Sequence, residues 1–160
     1  MEMPAGPSTP SATEIATAAC QAADRISDLV RETPLDYSPI FSDKTGAEIW
    51  FKQENLQHTG SFKLRGAANR LMTLAPEQLA AGCVAASSGN HGAAVAYAMQ
   101  KLGVHGVIFV PEQTASTKVD AIRSYGGDVR FFGSDGLDTE LHARDYAERN
   151  DMFYLSPYND

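Results

Sequence analysis

From residue 83 to residue 155 the chain switches repeatedly between two hydrophobic periods, and that alternation restricts its fold more than any other feature. Short apolar runs at 83–86, 104–110, 129–132 and 152–155 read as strands, each bounded by glycine or polar turn residues. Between them lie stretches of helical character. Residues 90–102 form an Ala-rich run stopped by Gly103, residues 116–125 end at Gly126-Gly127, and the third stretch spans 135–149. Successive strands joined through a helix must cross over, so they lie parallel, and such a sheet carries helices on both faces. The predicted fold class is α/β.

Upstream, Ser11-Ala-Thr-Glu14 reads as a capping box that opens a helix. Ile15, Ala19, Ala22, Ile26 and Leu29 give that helix an apolar stripe, and Thr33-Pro34 ends it. Residues 47–52 alternate, with Ile49 and Phe51 on one face, as in a strand. Residues 61–74 are helical in pattern, with Leu64, Ala67, Ala68 and Leu71 on one side. The head, residues 1–11, is rich in Pro, Ser and Gly and is expected to be disordered. It has neither the positive charge nor the apolar stretch of a secretory signal.

Charge and cysteine usage narrow the function classes. A net charge of -7, with basic residues scattered, argues against nucleic acid or an acidic membrane as partner. No apolar stretch is long enough to cross a bilayer. Cys20 and Cys83 have no metal-ligand spacing, and Cys83 opens an apolar run, so a buried free thiol is expected ahead of a disulfide. A reducing cytoplasm fits these features.

Open α/β sheets bind ligands at the carboxyl ends of their strands, and two turns there are unusual. Ser87-Ser88-Gly89-Asn90-His91-Gly92 follows the 83–86 strand and opens a helix. Glycine lets the backbone approach a ligand, and free N–H groups with the helix dipole favour a carboxylate or phosphate. The alternative is a plain N-cap, with Ser88 or Asn90 satisfying the first helical N–H groups. The other turn is Thr59-Gly60-Ser61-Phe62-Lys63, which sets Lys63 in the first turn of a helix between Phe62 and Leu64. Imine formation with an aldehyde cofactor needs a neutral amine, and the positive helix end and apolar neighbours favour one. A solvated surface lysine is the alternative. Neither turn matches G-x-G-x-x-G or the P-loop, which leaves little room for a nicotinamide or ATP reading.

Taken together the two turns resemble a known family. Glu54-Asn55-Leu56-Gln57-His58-Thr59-Gly60-Ser61-Phe62-Lys63-Leu64-Arg65-Gly66 resembles the lysine motif of fold-type II pyridoxal-phosphate enzymes. Ser87-Ser88-Gly89-Asn90-His91-Gly92 resembles their substrate-carboxylate loop. The likeness, which is to the threonine dehydratase and serine racemase group, continues through Thr33-Pro34-Leu35, Val110-Pro111, Lys118-Val119 and Ser156-Pro157-Tyr158-Asn159-Asp160.

The resemblance implies pyridoxal 5'-phosphate as cofactor, held by Lys63 as the Schiff-base lysine, which also moves the substrate Cα proton. Phe62 would pack on the cofactor ring and Asn90 would hydrogen-bond its hydroxyl. Ser87, Ser88, Gly89, Asn90 and His91 would surround the substrate carboxylate, and Ser88 could act as a second acid or base. His58, His105 and His142 read as surface or packing residues. The implied activity is an ammonia-lyase converting L-threonine or L-serine to a 2-oxo acid and ammonia. Racemase or hydroxyaspartate-dehydratase activity, or a non-catalytic remnant, are the alternatives. The resemblance also implies a homo-oligomer and a divided architecture. Residues 12–75 would begin a large domain, 83–153 would form a small one, and 154–160 would start the return to the large domain. On this reading the large domain is incomplete, and its phosphate-binding loop and the metal sites of racemase-like relatives lie beyond the chain, so no metal site is expected and the chain is an N-terminal fragment that is inactive alone.

Overall fold

The computed structural model describes residues 9–158. Most of the expected disordered head, and the last two residues of the family-like C-terminal run, lie outside that range. Helix α1 (Ala12–Ile26) begins with the anticipated capping box, in which Ser11 and Glu14 satisfy each other's backbone N–H groups. A short ribbon follows: β1 (Leu35–Tyr37), α2 (Pro39–Thr45) and β2 (Trp50–Lys52), with β1 and β2 paired antiparallel. A 3-10 turn (Glu54–Leu56) leads to α3 (Lys63–Met72) and α4 (Pro76–Ala81). Then come β3 (Cys83–Ala86), α5 (Asn90–Leu102), β4 (Gly106–Val110), α6 (Ser116–Ser124), β5 (Asp128–Phe131), α7 (Gly136–Arg149) and β6 (Phe153–Tyr154).

The four later strands form one parallel sheet in the order β5-β4-β3-β6. Their alternation sorts side chains to two faces. Cys83, Ala85, Ile108, Val110 and Val129 join the core beneath α5 and α6, whereas Val84, Val107 and Phe109 meet Ala143 and Ala147 of α7. The sheet is thus covered on both sides, as the crossover argument requires. Helix α3 packs on the outer side of α5 through Leu64, Ala67, Ala68 and Leu71, all buried, and α1 packs on α3.

Two expectations change. The strand read at 47–52 shortens to β2 and pairs with β1, which had no visible signal. The stripe of α1 is covered only at its end. Ile26 and Leu29 are buried, but Ile15 is 55% exposed and Ala19 is exposed, because α3 receives only the last turns of α1. Cys83 is a buried free thiol, and Cys20 is free and exposed.

Candidate active site

The carboxyl ends of the parallel strands and the start of α3 converge on Lys63. It is the first residue of α3, half-buried, and its Nζ donates a hydrogen bond to the Pro157 carbonyl at 3.2 Å. The same nitrogen lies 5.4 Å from the Phe62 ring centre and 5.9 Å from that of Tyr158. Lys63 makes no ion pair among the described residues. Two cavities meet there. One, of about 510 Å³, lies between Lys63, the Ser87–His91 turn, Pro111 and the start of α7. The other, of about 420 Å³, runs along α3 past Phe62 and Arg70 to the 155–158 segment.

The loop that presents Lys63 is firmly tied down. Gln57 is 3% exposed; its Oε1 accepts from the N–H groups of Arg31 and His58, and its Nε2 donates to the Arg31 carbonyl. Glu54 accepts two hydrogen bonds from Arg65, at 2.9 and 2.7 Å, and one from the Thr33 hydroxyl at 2.6 Å. The Arg65 guanidinium draws the Glu54 carboxyl below its ordinary value, against the opposing effect of burial. Gly60 turns the chain with φ +70°, a conformation that favours glycine. The Tyr125 hydroxyl then donates to the His58 carbonyl at 3.0 Å, joining this loop to α6. Within the loop, Thr59 Oγ1 and Ser61 Oγ are buried with no hydrogen-bond partner among the described residues.

The Ser87–Gly92 turn is not a plain N-cap. Gly89 occupies the cap position of α5 and no side chain caps the helix. Ser87 Oγ accepts from the Gly89 N–H at 3.2 Å, inside the turn. The Ser88 hydroxyl and the Asn90 amide line the larger cavity, and neither makes a hydrogen bond among the described residues. Gly92 is needed for packing: a Cβ there would lie 2.2 Å from the Ser87 carbonyl oxygen. His91 is 6% exposed, and its Nε2 faces the Leu155 carbonyl at 3.2 Å, linking the helix start to the end of β6. Phe62, at the cap position of α3, is 61% exposed beside Lys63.

All the site residues named from sequence (Phe62, Lys63, Ser87, Ser88, Gly89, Asn90 and His91) line these two cavities. Pro111, Pro157 and Tyr158, quoted from sequence only within the family likeness and given no site role, also line the walls, as does Glu140, which sequence reasoning missed. Pro111, Pro157 and Tyr158 lie in loops beyond the carboxyl ends of β4 and β6, where the strand-end rule applied to every strand would have found them; Glu140 lies inside α7 and would not have been found that way. The other histidines pack as expected. His58 stacks on Tyr97 with ring centres 5.1 Å apart, and its partial desolvation, helped by Arg31 and Lys101, lowers its pKa. His142 stacks on Phe132 at 3.6 Å.

Residues 26–160 match the family described as pyridoxal-phosphate dependent enzyme. The chain belongs to this family. It is 43% identical over 138 residues to the biosynthetic L-threonine dehydratase of Corynebacterium glutamicum, covering 84% of this chain and 32% of that protein. It is 41% identical over 140 residues to the L-threonine ammonia-lyase of Geobacter sulfurreducens, covering 88% and 35%. This pyridoxal-phosphate-family chain thus spans about a third of the length of the curated relatives it matches. Among solved structures it superposes on the processed threonine deaminase isoform 2 of Solanum lycopersicum, with TM-score 0.86 and 33% identity over 97% of this chain and 46% of that one. It also superposes on the serine racemase of Dictyostelium discoideum, with TM-score 0.82 and 35% identity over 90% and 47%.

The residues present fit the amine side of the family's cofactor. A lysine amine with no acidic partner opens on a cavity, beside an exposed aromatic face. The same cavity is lined by an uncapped helix start and by a hydroxyl and an amide that make no hydrogen bond among the described residues. No helix among the described residues is long and apolar enough to cross a membrane.

Proposed function

We propose that residues 1–160 carry the amine and carboxylate side of an ammonia-lyase acting on L-threonine or L-serine. The observation that carries this reading is the placement of Lys63 Nζ in one cavity with the uncapped Ser87–His91 turn. Lys63 is the residue to hold pyridoxal phosphate, with Phe62 against its ring and the Asn90 amide on its hydroxyl. When bound, the cofactor supplies an electron sink for the charge that develops at Cα. The turn binds the substrate carboxylate through backbone N–H groups and the helix dipole, which fixes the amino acid relative to Lys63. The Lys63 amine takes the Cα proton. Departure of the β-hydroxyl as water, followed by hydrolysis, yields a 2-oxo acid and ammonia.

A second reading is amino-acid racemisation. Ser88 favours it, because a hydroxyl with no hydrogen bond of its own stands on the wall of the Lys63 cavity and can exchange a proton with Cα. A cytoplasmic setting and homo-oligomeric assembly belong to the same proposal. So does the division into large-domain residues 12–75, small-domain residues 83–153 and a return at 154–160.

The relatives' activity belongs to chains about three times as long, so residues 1–160 alone are expected not to deaminate threonine. The test is a chimaera in which residues 26–160 replace the matching segment of the Corynebacterium dehydratase. It should form 2-oxobutanoate from L-threonine, and Lys63→Ala should lower that rate by at least about a thousandfold. Retention of activity in Lys63→Ala would overturn the assignment.

A further inference from the structure

The wall of the Lys63 cavity contributed by α7 carries a carboxylate that the reaction above does not use. Glu140 lines the cavity together with Lys63, Ser88 and Asn90. Its Oε1 accepts from Arg144 Nε at 3.0 Å and Nη2 at 2.8 Å, one helical turn on. Its Oε2 accepts no hydrogen bond among the described residues. Arg144 does not itself line the cavity; its guanidinium is committed to Oε1 and lies 4.3 Å from the Tyr154 ring centre. The other charged group on the cavity wall is Lys63.

We propose that Glu140 is a specificity-determining residue that excludes amino acids bearing a second carboxylate. This rests on the reading of the cavity as an amino-acid site. With the α-carboxylate on the Ser87–His91 turn and the amino group toward the end of the cavity where Lys63 would hold the cofactor, the side chain has the remaining wall to occupy. A neutral hydroxyl can donate to the open Oε2. A side-chain carboxylate there would meet a like charge in a partly desolvated space, and Arg144, held behind Oε1, offsets only part of that repulsion. The selected class is therefore small monocarboxylic amino acids with a hydroxyl or other donor on the side chain.

The chain itself, at 17.2 kDa, suits solution NMR. Amide resonances of residues 87–91 are followed during titration with L-serine and with L-aspartate. We expect L-serine to bind at least about tenfold more tightly than L-aspartate. Glu140→Gln removes the like charge and frees Arg144, so it should raise L-aspartate affinity and collapse the ratio. Arg144→Met leaves Glu140 unneutralised and should widen the ratio, which guards against a variant that simply loosens the fold. Equal affinities in the wild-type chain, or a ratio that neither substitution moves, would overturn the role of Glu140 alone. No response to either amino acid would overturn the amino-acid reading and this inference with it.

Discussion

The chemistry of this chain is concentrated in side chains that fail to satisfy one another. Ser88 and Asn90 could each have capped α5, yet neither does, and both line the cavity that Lys63 faces. A cap is among the least costly ways to satisfy helical N–H groups, so leaving it unmade keeps those groups for a ligand. Ser88 can be tested against the two reactions. In the chimaera, Ser88→Ala should suppress conversion of L-serine to D-serine far more than formation of the 2-oxo acid, as chiral chromatography and an oxo-acid assay will show. Racemisation needs a second proton-transfer group, whereas elimination with Lys63 as base does not. Equal loss of both products would reduce Ser88 to a carboxylate-binding role. These residues were legible in the sequence because two long motifs named them. Glu140 was not, because an ordinary helical glutamate carries no local mark of the cavity it borders.

At the scale of elements, the lysine loop owes its position to polar contacts with the α1–β1 connection. The Glu54–Arg65 pair bears most directly on stability. Its side chains are only 16% and 32% exposed, and the geometry is charge-assisted through two guanidinium nitrogens. Glu54→Gln should destabilise the chain at neutral pH by about 1–2 kcal/mol in urea unfolding. The Glu54 carboxyl is held below its ordinary value of 4.5, so its contribution is present above that value and fades as the pH falls through the lowered one. The gap between wild type and variant should therefore shrink on acidification, and a gap that grows would contradict the assignment. Periodicity made the parallel sheet readable, since strand and helix repeats differ over 83–155. Of the ribbon only β2 was readable; β1, α2 and α4 were not, because segments of three to seven residues are too short to show a period reliably. The stripe of α1 was legible as a face, but a periodic face does not say what covers it; of its residues only Ile26 and Leu29 are fully buried.

At the scale of the whole molecule, a doubly covered parallel sheet delivers loops from all four strand ends to one side, and α3 brings Lys63 to meet them. The fold class was legible because crossover connections leave few alternatives. The meeting of α3 with the strand ends was not, since it depends on the packing of α3 against α5 and on a hydrogen bond between residues 94 positions apart. That convergence brings Lys63 into one cavity with the Ser87–His91 turn beside the exposed Phe62, whereas Lys118 borders the turn from another cavity, with Thr59 and Tyr125. The direct measurement is to incubate the chain with pyridoxal phosphate, reduce with borohydride, digest, and locate the modified lysine by mass spectrometry. The account predicts that the modification concentrates on Lys63 at substoichiometric cofactor. Even labelling of Lys44, Lys52, Lys101 and Lys118, or labelling that spares Lys63, would contradict it.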